Sequence, residues 1–334
     1  MSVRGALRQM GLEFEGGNIR AWRGNIMTQG GIPLVGSVFG NTYFVDYANG
    51  NDDNNGKTRD KPFKTLSAAI DAVESNNNDV IFVNGYSTVV ETSMVELSKN
   101  RVHIIGINGP AGHYGQGAKI SCALDSGATN IATFKNTGVR NTFSNIKFVN
   151  SNTVTEGIYC VVEAGEFARY FNCEFYKDTD LDVTGAAELL HNGDSAMFYN
   201  CTFGSTANII ADNKIRPNVL LTATISGKKC RDTYFENCLF LSKAGGTEHV
   251  AVYGENATDV ERMLLMSNCM FINNALSAAT PAHAVGFGAA QTEGTVILKD
   301  CTAADYTKLA EASVGIFVDG AVPTFGTSGV AVQS

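Results

Sequence analysis

The feature that most constrains this chain of 334 residues is a short motif, Asn-Cys-x-Phe, that recurs through its middle. Five segments align without gaps, and a sixth is a weaker copy with aspartate in place of asparagine. The six copies are TFSNIKF (142–148), YFNCEFY (170–176), FYNCTFG (198–204), FENCLFL (235–241), MSNCMFI (266–272) and LKDCTAA (298–304). The asparagines and the final aspartate lie 27, 28, 37, 31 and 32 residues apart. An irregular period of about 30 residues predicts stacked units with loops of variable length, not a strict leucine-rich or helical repeat.

The apolar positions of the motif change phase at its asparagine. In the five full copies an aromatic residue or methionine stands two positions before it, cysteine or isoleucine one position after it, and phenylalanine three positions after it. A continuous strand cannot turn all three positions to one face, because its side chains alternate with a period of two. A left-handed backbone conformation, which asparagine and aspartate tolerate, would bend the chain so that both flanking strands point inward. The sequence therefore predicts corners at Asn145, Asn172, Asn200, Asn237, Asn268 and Asp300.

Coils that turn at such corners stack into an all-β fold, a parallel β-helix, with strands about 4.8 Å apart. Residues 41–305 have room for about seven coils of this kind. The corner side chains would lie above one another and hydrogen-bond along the axis as a ladder, while the phenylalanine and cysteine columns fill the interior. We therefore assign the repeated residues to packing and corner formation, and not to chemistry.

The cysteines bear on both chemistry and compartment. Five of the eight stand in one column of the motif, and the others are Cys122, Cys160 and Cys230. Stacked side chains point the same way, so we expect free thiols that pack as small hydrophobic groups, as in a reducing cytosol. No C-x-x-C pair occurs, and the histidine spacing does not suit metal ligands, so we expect neither a metal nor a cofactor.

The two ends of such a rod would expose unpaired strand edges, so we expect both to be covered. The segment PFKTLSAAIDAVE (62–74) has apolar residues at helical spacing, which predicts a capping helix over residues 63–75. Residues 306–334 lack the repeat and are expected to form a C-terminal cap.

Residues 1–40 fit neither the repeat nor the helix. The segment holds four arginines against two glutamates, and it contains the only tryptophan of the chain. A lone aromatic side chain outside a core is more often a docking anchor than a catalytic group. Besides a solvated tail, the segment suits an attachment arm that binds other proteins, and the expected contact residues are Arg4, Arg8, Arg20, Trp22 and Arg23.

The stretch YFVDYANGND (43–52), followed by an Asn-Gly pair and by PFKT (62–65), resembles the N-terminal entry of a known group of proteins. These are the right-handed parallel β-helix proteins of the pectate-lyase-like superfamily, which includes polysaccharide lyases and hydrolases, bacteriophage tailspikes and other phage surface proteins. The resemblance extends over about residues 41–305 and implies a right-handed coil. Since viral members of the group commonly form trimers, it also implies a homotrimer.

One acidic segment is the best candidate for catalysis. The stretch DTDLDVTGAAELLHNGD (178–194) lies between two corners, and on a strand its first three aspartates would share one face. Hydrolysis of a glycosidic bond requires two carboxyl groups at a defined separation. The candidates are Asp178, Asp180, Asp182 and Glu188. The alternative, which we favour because a fold does not imply a function, is a solvated acidic loop.

Charge and hydropathy exclude several partners. A net charge of −8 opposes binding to nucleic acid. The absence of a long apolar run opposes insertion into a membrane, and the N-terminus lacks the apolar core of a secretory signal. We expect a non-catalytic structural protein on the surface of a bacteriophage particle, either a capsid decoration protein or a short tail spike or fibre. Its expected location is the virion, after assembly in the host cytoplasm.

Two other functions remain open. One is an enzyme that degrades polysaccharide as a lyase or glycosidase, in which case cleavage would disappear on replacing Asp180 or Glu188. Alternatively, the chain binds a host-surface glycan without cleaving it, which binding to a glycan array would reveal.

Overall fold

The computed structural model describes the backbone of residues 12–15 and 18–21 and, in full, residues 40–85, 91–107, 118–122, 131–151, 158–177, 184–207, 210, 215–223, 228–274, 280–312 and 315–318, with the backbone of residue 319. Within these residues the structure is built of strands and one helix, α1 (Leu66–Ala72). Two short strands, β1 (Leu12–Glu15) and β2 (Asn18–Ala21), pair as an antiparallel hairpin.

Three parallel sheets hold the other strands. The first sheet consists of β3 (Thr42–Asp46), β4 (Val80–Asn84), β6 (His103–Gly106), β9 (Thr142–Ser144), β12 (Arg169–Phe171), β15 (Met197–Tyr199), β18 (Thr233–Glu236), β21 (Met263–Ser267), β24 (Thr295–Lys299) and β27 (Ile316–Asp319). The second consists of β7 (Ala118–Cys122), β10 (Ile146–Asn150), β13 (Glu174–Lys177), β16 (Thr202–Gly204), β19 (Leu239–Ser242), β22 (Met270–Asn273) and β25 (Thr302–Ala304). The third consists of β5 (Val95–Leu97), β8 (Ala132–Asn136), β11 (Tyr159–Glu163), β14 (Ala187–His191), β17 (Val219–Leu221), β20 (Val252–Gly254), β23 (His283–Phe287) and β26 (Lys308–Ala310).

The chain visits the three sheets in a fixed order. From β9 in the first sheet it passes to β10 in the second and β11 in the third, and it returns to the first sheet at β12. Strands of successive coils pair in parallel, so that Tyr170 of β12 lies between Phe143 of β9 and Phe198 of β15. This path is a parallel β-helix, and the predicted all-β fold is confirmed.

At each of the six motif corners the backbone is left-handed, with φ between 51° and 57°. The main-chain N–H of each of the first five donates to a carbonyl oxygen of the next coil at 2.9–3.0 Å. The ladder of side chains is shorter, because Asn172 Nδ2 donates to Asn145 Oδ1 at 3.3 Å and Asn200 Nδ2 to Asn172 Oδ1 at 2.6 Å. Among the described residues no such bond joins Asn237 to Asn200. Asn200 is exposed, so its end of the ladder faces solvent.

Two columns of aromatic rings fill the interior beside these corners. Ring centroids in the first column are 4.5–4.8 Å apart along Phe143, Tyr170, Phe198 and Phe235. Those in the second are 4.6–5.6 Å apart along Phe148, Phe175, Phe203, Phe240 and Phe271. The columns meet edge to face, as where Phe198 crosses Phe203 at 68°. Each such contact contributes about 0.5–1.5 kcal/mol beyond its buried area, so the columns stabilise the coil register.

All eight cysteines are free and buried, as predicted. The thiols of Cys201, Cys238, Cys269 and Cys301 each donate to a carbonyl oxygen of the preceding coil, with sulfur-to-oxygen distances of 3.4–3.6 Å. Burial raises the pKa of the Cys230 thiol to about 12. Cys230 is therefore a neutral thiol at ordinary pH and not a reactive thiolate.

A second column of left-handed corners stands where the chain returns from the third sheet to the first. It is formed by Arg101, Arg140, Phe167, Ser195 and Asp232, with φ between 46° and 59°. As at the asparagine corners, the main-chain N–H of each of the first four bonds to a carbonyl oxygen of the next coil, here at 2.7–2.9 Å. These five residues belong to four side-chain types, so the sequence contained no motif that would predict this corner.

Helix α1 is shorter than the predicted span of 63–75. Thr65 is its N-cap, accepting a hydrogen bond from Ala68 N, and Asp52 accepts bonds from the main-chain N–H of residues 64 and 65. Phe63 lies outside the helix because it pairs as a bridge with Val45. Leu66, Ala69 and Ile70 of α1 are buried in the same core as the first strands. Beyond residue 305, β26 and β27 still pair in parallel with β23 and β24.

Asn200 has both a left-handed backbone and a side-chain hydrogen bond to Asn172. Substitutions at this position can separate the two contributions to stability. Asn200→Ala should lower the free energy of unfolding by about 1–2 kcal/mol, because alanine resists the left-handed conformation and the bond to Asn172 is lost. Asn200→Gly should cost less, since glycine adopts positive φ readily. Denaturant unfolding followed by circular dichroism measures both values.

The matched control is Asn237→Ala, because Asn237 has nearly the same φ, 54° against 53° for Asn200. If both alanine variants lose the same stability, the side-chain ladder contributes nothing. A glycine variant as damaging as the alanine variant would contradict the conformational explanation.

Candidate functional site

The residues predicted as sites fall into two groups. Asp178, Asp180 and Asp182 lie outside the described residues, as do Arg4, Arg8, Trp22 and Arg23, and of Arg20 only the backbone in β2 is described. Glu188 is described, on β14, and its residue exposure is 7%. The structure therefore brings only one of the four candidate carboxyl groups into view, and that one is buried.

Glu188 belongs to a ring of buried polar side chains between the second and third sheets. We call this the polar ring, and its members are Glu188, Arg216, Asn218, Ser242, His249 and Tyr306. On one side of the ring, Arg216 Nη2 lies 3.9 Å from Glu188 Oε1. The main-chain carbonyl oxygen of Arg216 is 3.1 Å from His249 Nδ1, which ties the ion pair to a coil farther along the rod.

On the other side of the polar ring, neutral side chains complete the chain of hydrogen bonds. His249 Nε2 is 3.1 Å from the Tyr306 hydroxyl, which in turn is 3.4 Å from Ser242 Oγ. Ser242 Oγ donates to Asn218 Oδ1 at 2.9 Å, and Asn218 Nδ2 donates to Glu188 Oε2 at 3.4 Å. Buried polar groups need such partners, because each unmet hydrogen bond costs about 1–3 kcal/mol.

Burial is the largest influence on the pKa values of these groups. It raises the pKa of Glu188, and the charges of Arg216 and Lys177 partly oppose that shift. It lowers the pKa of His249 to about 3 and that of the neighbouring Lys177 to about 7. His249 is therefore neutral in the ring at ordinary pH, and Glu188 is held by a cation instead of being open to a substrate.

A second polar site is open to solvent. It is a groove of about 470 Å³, lined by Glu166, Asp194, Lys228, Lys229, Arg231, Glu261 and Glu293. We call it the charged groove. It follows the second column of corners, where bridges stack Glu166, Asp194 and Arg231 in three successive coils.

Ion pairs cross the charged groove in both directions along the rod. Arg231 binds Asp194 of the preceding coil at 3.4 Å and also binds Glu261 of the following one. Lys228 reaches back two coils to Glu166 at 3.4 Å.

Lys229 extends forward two coils to Glu293, at 2.5 Å. With this pair, each of the four carboxylates of the charged groove is bonded to a cation. The bond to Glu261 raises the pKa of the Arg231 guanidinium. The groove can therefore accept a polar ligand by hydrogen bonds, but it does not present a free pair of carboxyl groups. In the described parts of the chain, no cluster of His, Cys, Asp or Glu is arranged to hold a metal ion.

A buried carboxyl group that the sequence did not single out lies at the end of β11. Glu163 Oε2 accepts a bond from the Tyr170 hydroxyl at 2.5 Å, and Oε1 accepts one from Gly165 N at 2.7 Å. Asn136 Nδ2 of the preceding coil donates to both oxygens. Burial nevertheless raises the pKa of Glu163 to about 7. In the following coil His191 has its pKa lowered by burial to about 4.

Comparison of the whole structure with solved proteins gives the fold a precedent. The chain is similar to a pectin methylesterase from Aspergillus niger in deglycosylated form, with 14% identity, 93% of this chain and 92% of that chain covered, and a TM-score of 0.54. It is also similar to pectate lyase Pel9A, with 13% identity, coverage of 89% and 73%, and a TM-score of 0.53. The chain is a right-handed parallel β-helix.

Identities this low show the fold alone. The chain also resembles ORF18 of Geobacillus virus E2, with 13% identity and coverage of 96% and 69%, but the TM-score of 0.41 is too low to support an inference. No protein-family model and no curated protein sequence matches the chain. Among the described residues, no helix has the length and apolar character needed to cross a membrane.

The buried Glu163 should make stability depend on pH. Its folded pKa of about 7 lies above the usual value of 4.5, so folding favours the protonated form. Its contribution is complete below pH 4.5 and is lost as pH rises through 7, a change of about 3 kcal/mol. Glu163→Gln should lack this fall, so the difference in unfolding free energy between wild type and variant should decrease by about 3 kcal/mol from pH 4.5 to 8, as measured by denaturant unfolding.

His191 acts in the opposite direction, since its contribution is lost as pH falls from 6.5 towards 4. Both proteins contain His191, so the difference between them isolates Glu163. Glu96→Gln, which removes an exposed carboxylate on the third sheet, controls for the loss of one charge. If the unfolding free energy of Glu163→Gln varies with pH just as that of wild type does, the Glu163 carboxyl group does not titrate between pH 4.5 and 8.

Proposed function

We propose that this protein is a non-catalytic structural protein on the surface of a bacteriophage particle, as a capsid decoration protein or a short tail spike or fibre. The observation that supports this best is the state of its carboxylates. Glu188 is enclosed in the polar ring, and the four carboxylates of the charged groove are each bonded to a cation. A glycoside hydrolase instead needs two carboxyl groups that reach the scissile bond.

The architecture suits a rigid structural protein whose surface contacts lie at fixed distances along the rod. Ten strands in the first sheet correspond to a rod about 43 Å long at the usual strand spacing. Stacked rings, main-chain bonds at both corners and ion pairs across coils hold the coils in register. In this proposal the rod is a rigid spacer, and three copies of it form a homotrimer.

Attachment is assigned to residues 1–40. The arm carries four arginines and two glutamates, a net charge of +2, whereas the whole chain has −8 and the remainder therefore −10. Such a basic segment can dock on an acidic surface of another particle protein, through Arg4, Arg8, Arg20, Trp22 and Arg23. Assembly in the host cytoplasm agrees with eight free thiols. A host-surface glycan remains a further proposed partner of the exposed rod.

Deleting residues 1–40 should abolish incorporation into the particle while leaving the β-sheet circular dichroism of the rod unchanged, because the coils begin after residue 40. The measurement is the amount of protein that sediments with purified particles. Two further variants separate the contributions of charge and of the aromatic ring to incorporation. In one, serine replaces all four arginines, Arg4, Arg8, Arg20 and Arg23; in the other, alanine replaces Trp22. Normal incorporation of the truncated protein would contradict the attachment role.

A polysaccharide-acting protein is the second candidate. The fold is shared with proteins named pectin methylesterase and pectate lyase, and the charged groove, at about 470 Å³, has room for a polar ligand. Binding without cleavage fits the ion-paired groove better than catalysis does.

Incubation with pectin, pectate and a broad panel of other polysaccharides distinguishes the two candidates. We expect no release of reducing ends, methanol or unsaturated products, because Glu188 is buried and the four carboxylates of the charged groove are ion-paired. If cleavage occurs, Asp180→Asn and Glu188→Gln identify its source, with Glu96→Gln as the control for a carboxyl group elsewhere on the rod. Any cleavage that disappears in Asp180→Asn or Glu188→Gln but persists in Glu96→Gln would overturn the non-catalytic proposal.

A further inference from the structure

The charged groove is long and narrow. Its carboxylates and its arginine come from five successive coils, at residues 166, 194, 231, 261 and 293, so it extends over about 19 Å at the usual strand spacing. With a volume of about 470 Å³, it has a mean cross-section of about 25 Å² over that length. Its charged side chains are 27–44% exposed, so a ligand can reach them. These dimensions suit a linear molecule that lies along the rod, and not a compact one.

The ion pairs of the charged groove leave its glutamates able to accept further hydrogen bonds. Lys228 binds Glu166 through Oε1, and Lys229 binds Glu293 through Oε2. An ionised carboxylate has about four positions that can accept a hydrogen bond, and each of these pairs uses one. Both glutamates can therefore accept bonds from hydroxyl groups of a ligand while they keep their lysines.

The charge balance of the groove opposes an anionic ligand. Three cations face four carboxylates, and each carboxylate is bonded to a cation. Arg231 is engaged with all three of its nitrogens, since Nε and Nη2 bind Glu261 and Nη1 binds Asp194. An acidic ligand would have to displace a carboxylate from its cation, and the chain as a whole carries a net charge of −8. The groove therefore favours an uncharged polar ligand.

An exposed aromatic ring lies at the wall of the groove. Phe167 follows Glu166, its main-chain N–H bonds to the carbonyl oxygen of Asp194 at 2.8 Å, and 43% of the residue is exposed. The guanidinium carbon of Arg140 lies 5.5 Å from the ring centroid. In the next coil the same corner position holds Ser195, whose hydroxyl donates to Asp194 Oδ1, so that corner has no long side chain to cover the ring.

Phenylalanine is an unfavourable residue for this corner. Its φ of 56° is unusual for a bulky side chain, and such strained positions cluster where proteins hold ligands. Exposure of the ring also gives up the stabilisation that burial would provide. Since serine and aspartate occupy the same corner in the next two coils, the fold does not require a ring there. A contact outside the fold explains it better.

We propose that the charged groove, together with Phe167, binds a linear, uncharged oligosaccharide that lies along the rod. This inference rests on the proposed glycan partner and names its site and its chemical class. A sugar ring presents hydroxyl groups at its rim and C–H groups on its faces. Glu166 and Glu293 accept bonds from the hydroxyl groups, and the ring of Phe167 packs against a C–H face.

An extended peptide fits the groove less well. Such a peptide commonly binds by adding a strand to an open sheet edge, where main-chain groups are available. At this wall the main-chain N–H groups of Phe167 and Ser195 already bond to the carbonyl oxygens of Asp194 and Arg231 in the next coil. The groove therefore offers a ligand side chains, and a molecule rich in hydroxyl groups matches them.

The test measures binding to the full chain by titration calorimetry at constant ionic strength. The neutral probes are short oligosaccharides of glucose, galactose or mannose, and the acidic probe is oligogalacturonate of the same length. Wild type should bind at least one neutral probe and should bind oligogalacturonate about tenfold more weakly or not at all, because the acidic sugar finds no cation without a partner in the groove. Extended polar peptides are measured alongside.

Three variants locate the site. Phe167→Asn removes the ring but keeps a residue that tolerates positive φ, so it should weaken binding of the neutral probe about tenfold without lowering the free energy of unfolding. Phe317→Asn is the matched control, because Phe317 is exposed on β27, away from the groove, and its affinity should equal that of wild type. Glu293→Gln takes from Lys229 its carboxylate, so the affinity for oligogalacturonate should rise about tenfold.

Each other outcome contradicts a different claim. If wild type binds no saccharide, the proposed glycan partner and the groove site both fail, whereas the structural role is tested separately by incorporation into particles. If Phe167→Asn binds the neutral probe as tightly as wild type does, the groove is not the site, although the glycan partner stands. Equal affinity of wild type for the acidic and neutral probes would overturn the uncharged class. Binding of a peptide in place of every saccharide would overturn the choice of ligand.

Discussion

The left-handed corner is the constraint on which the rest of the rod depends. A positive φ at the motif asparagine reverses the alternation of side chains, so the strands on both sides of it turn their apolar residues inward. The main-chain N–H of the same residue bonds to the next coil, which sets the register there. Register then places phenylalanine over phenylalanine at 4.6–5.0 Å in most of the second ring column. A slip of one residue would turn the whole set outward.

The part of the fold that the sequence predicted is the part built from one repeated residue type. Asparagine is one of the few residues that tolerates the left-handed conformation, so its recurrence pointed to the geometry. The second corner escaped notice because arginine, phenylalanine, serine and aspartate occupy it in turn, and main-chain bonds between coils impose its shape. The predicted helix was too long for a related reason. Phe63 has the apolar character of a helix face, but it is held as a bridge to Val45.

The functional candidates were harder to predict, since their geometry comes from residues far apart in the sequence. The acidic composition of 178–194 indicated a solvated loop or a carboxyl pair, yet Glu188 lies on a strand whose five residues are all buried. Its partners come from other coils: Arg216 beside it, and His249 and Tyr306 beyond. No local spacing rule connects these positions. The charged groove likewise exists only because coils of unequal length bring residues 166, 194, 231, 261 and 293 to one side.

The two lysines of the charged groove change how the rod can come apart. In a stack of coils, each unit ordinarily touches only the units above and below, so stability is a sum of local terms and an end can fray coil by coil. Lys228 and Lys229 skip a coil in opposite directions and bind Glu166 and Glu293. With Arg231 between them, five coils share one set of ion pairs. Opening any one of these coils disturbs partners two levels away, so the middle of the rod should open as a block while the ends open singly.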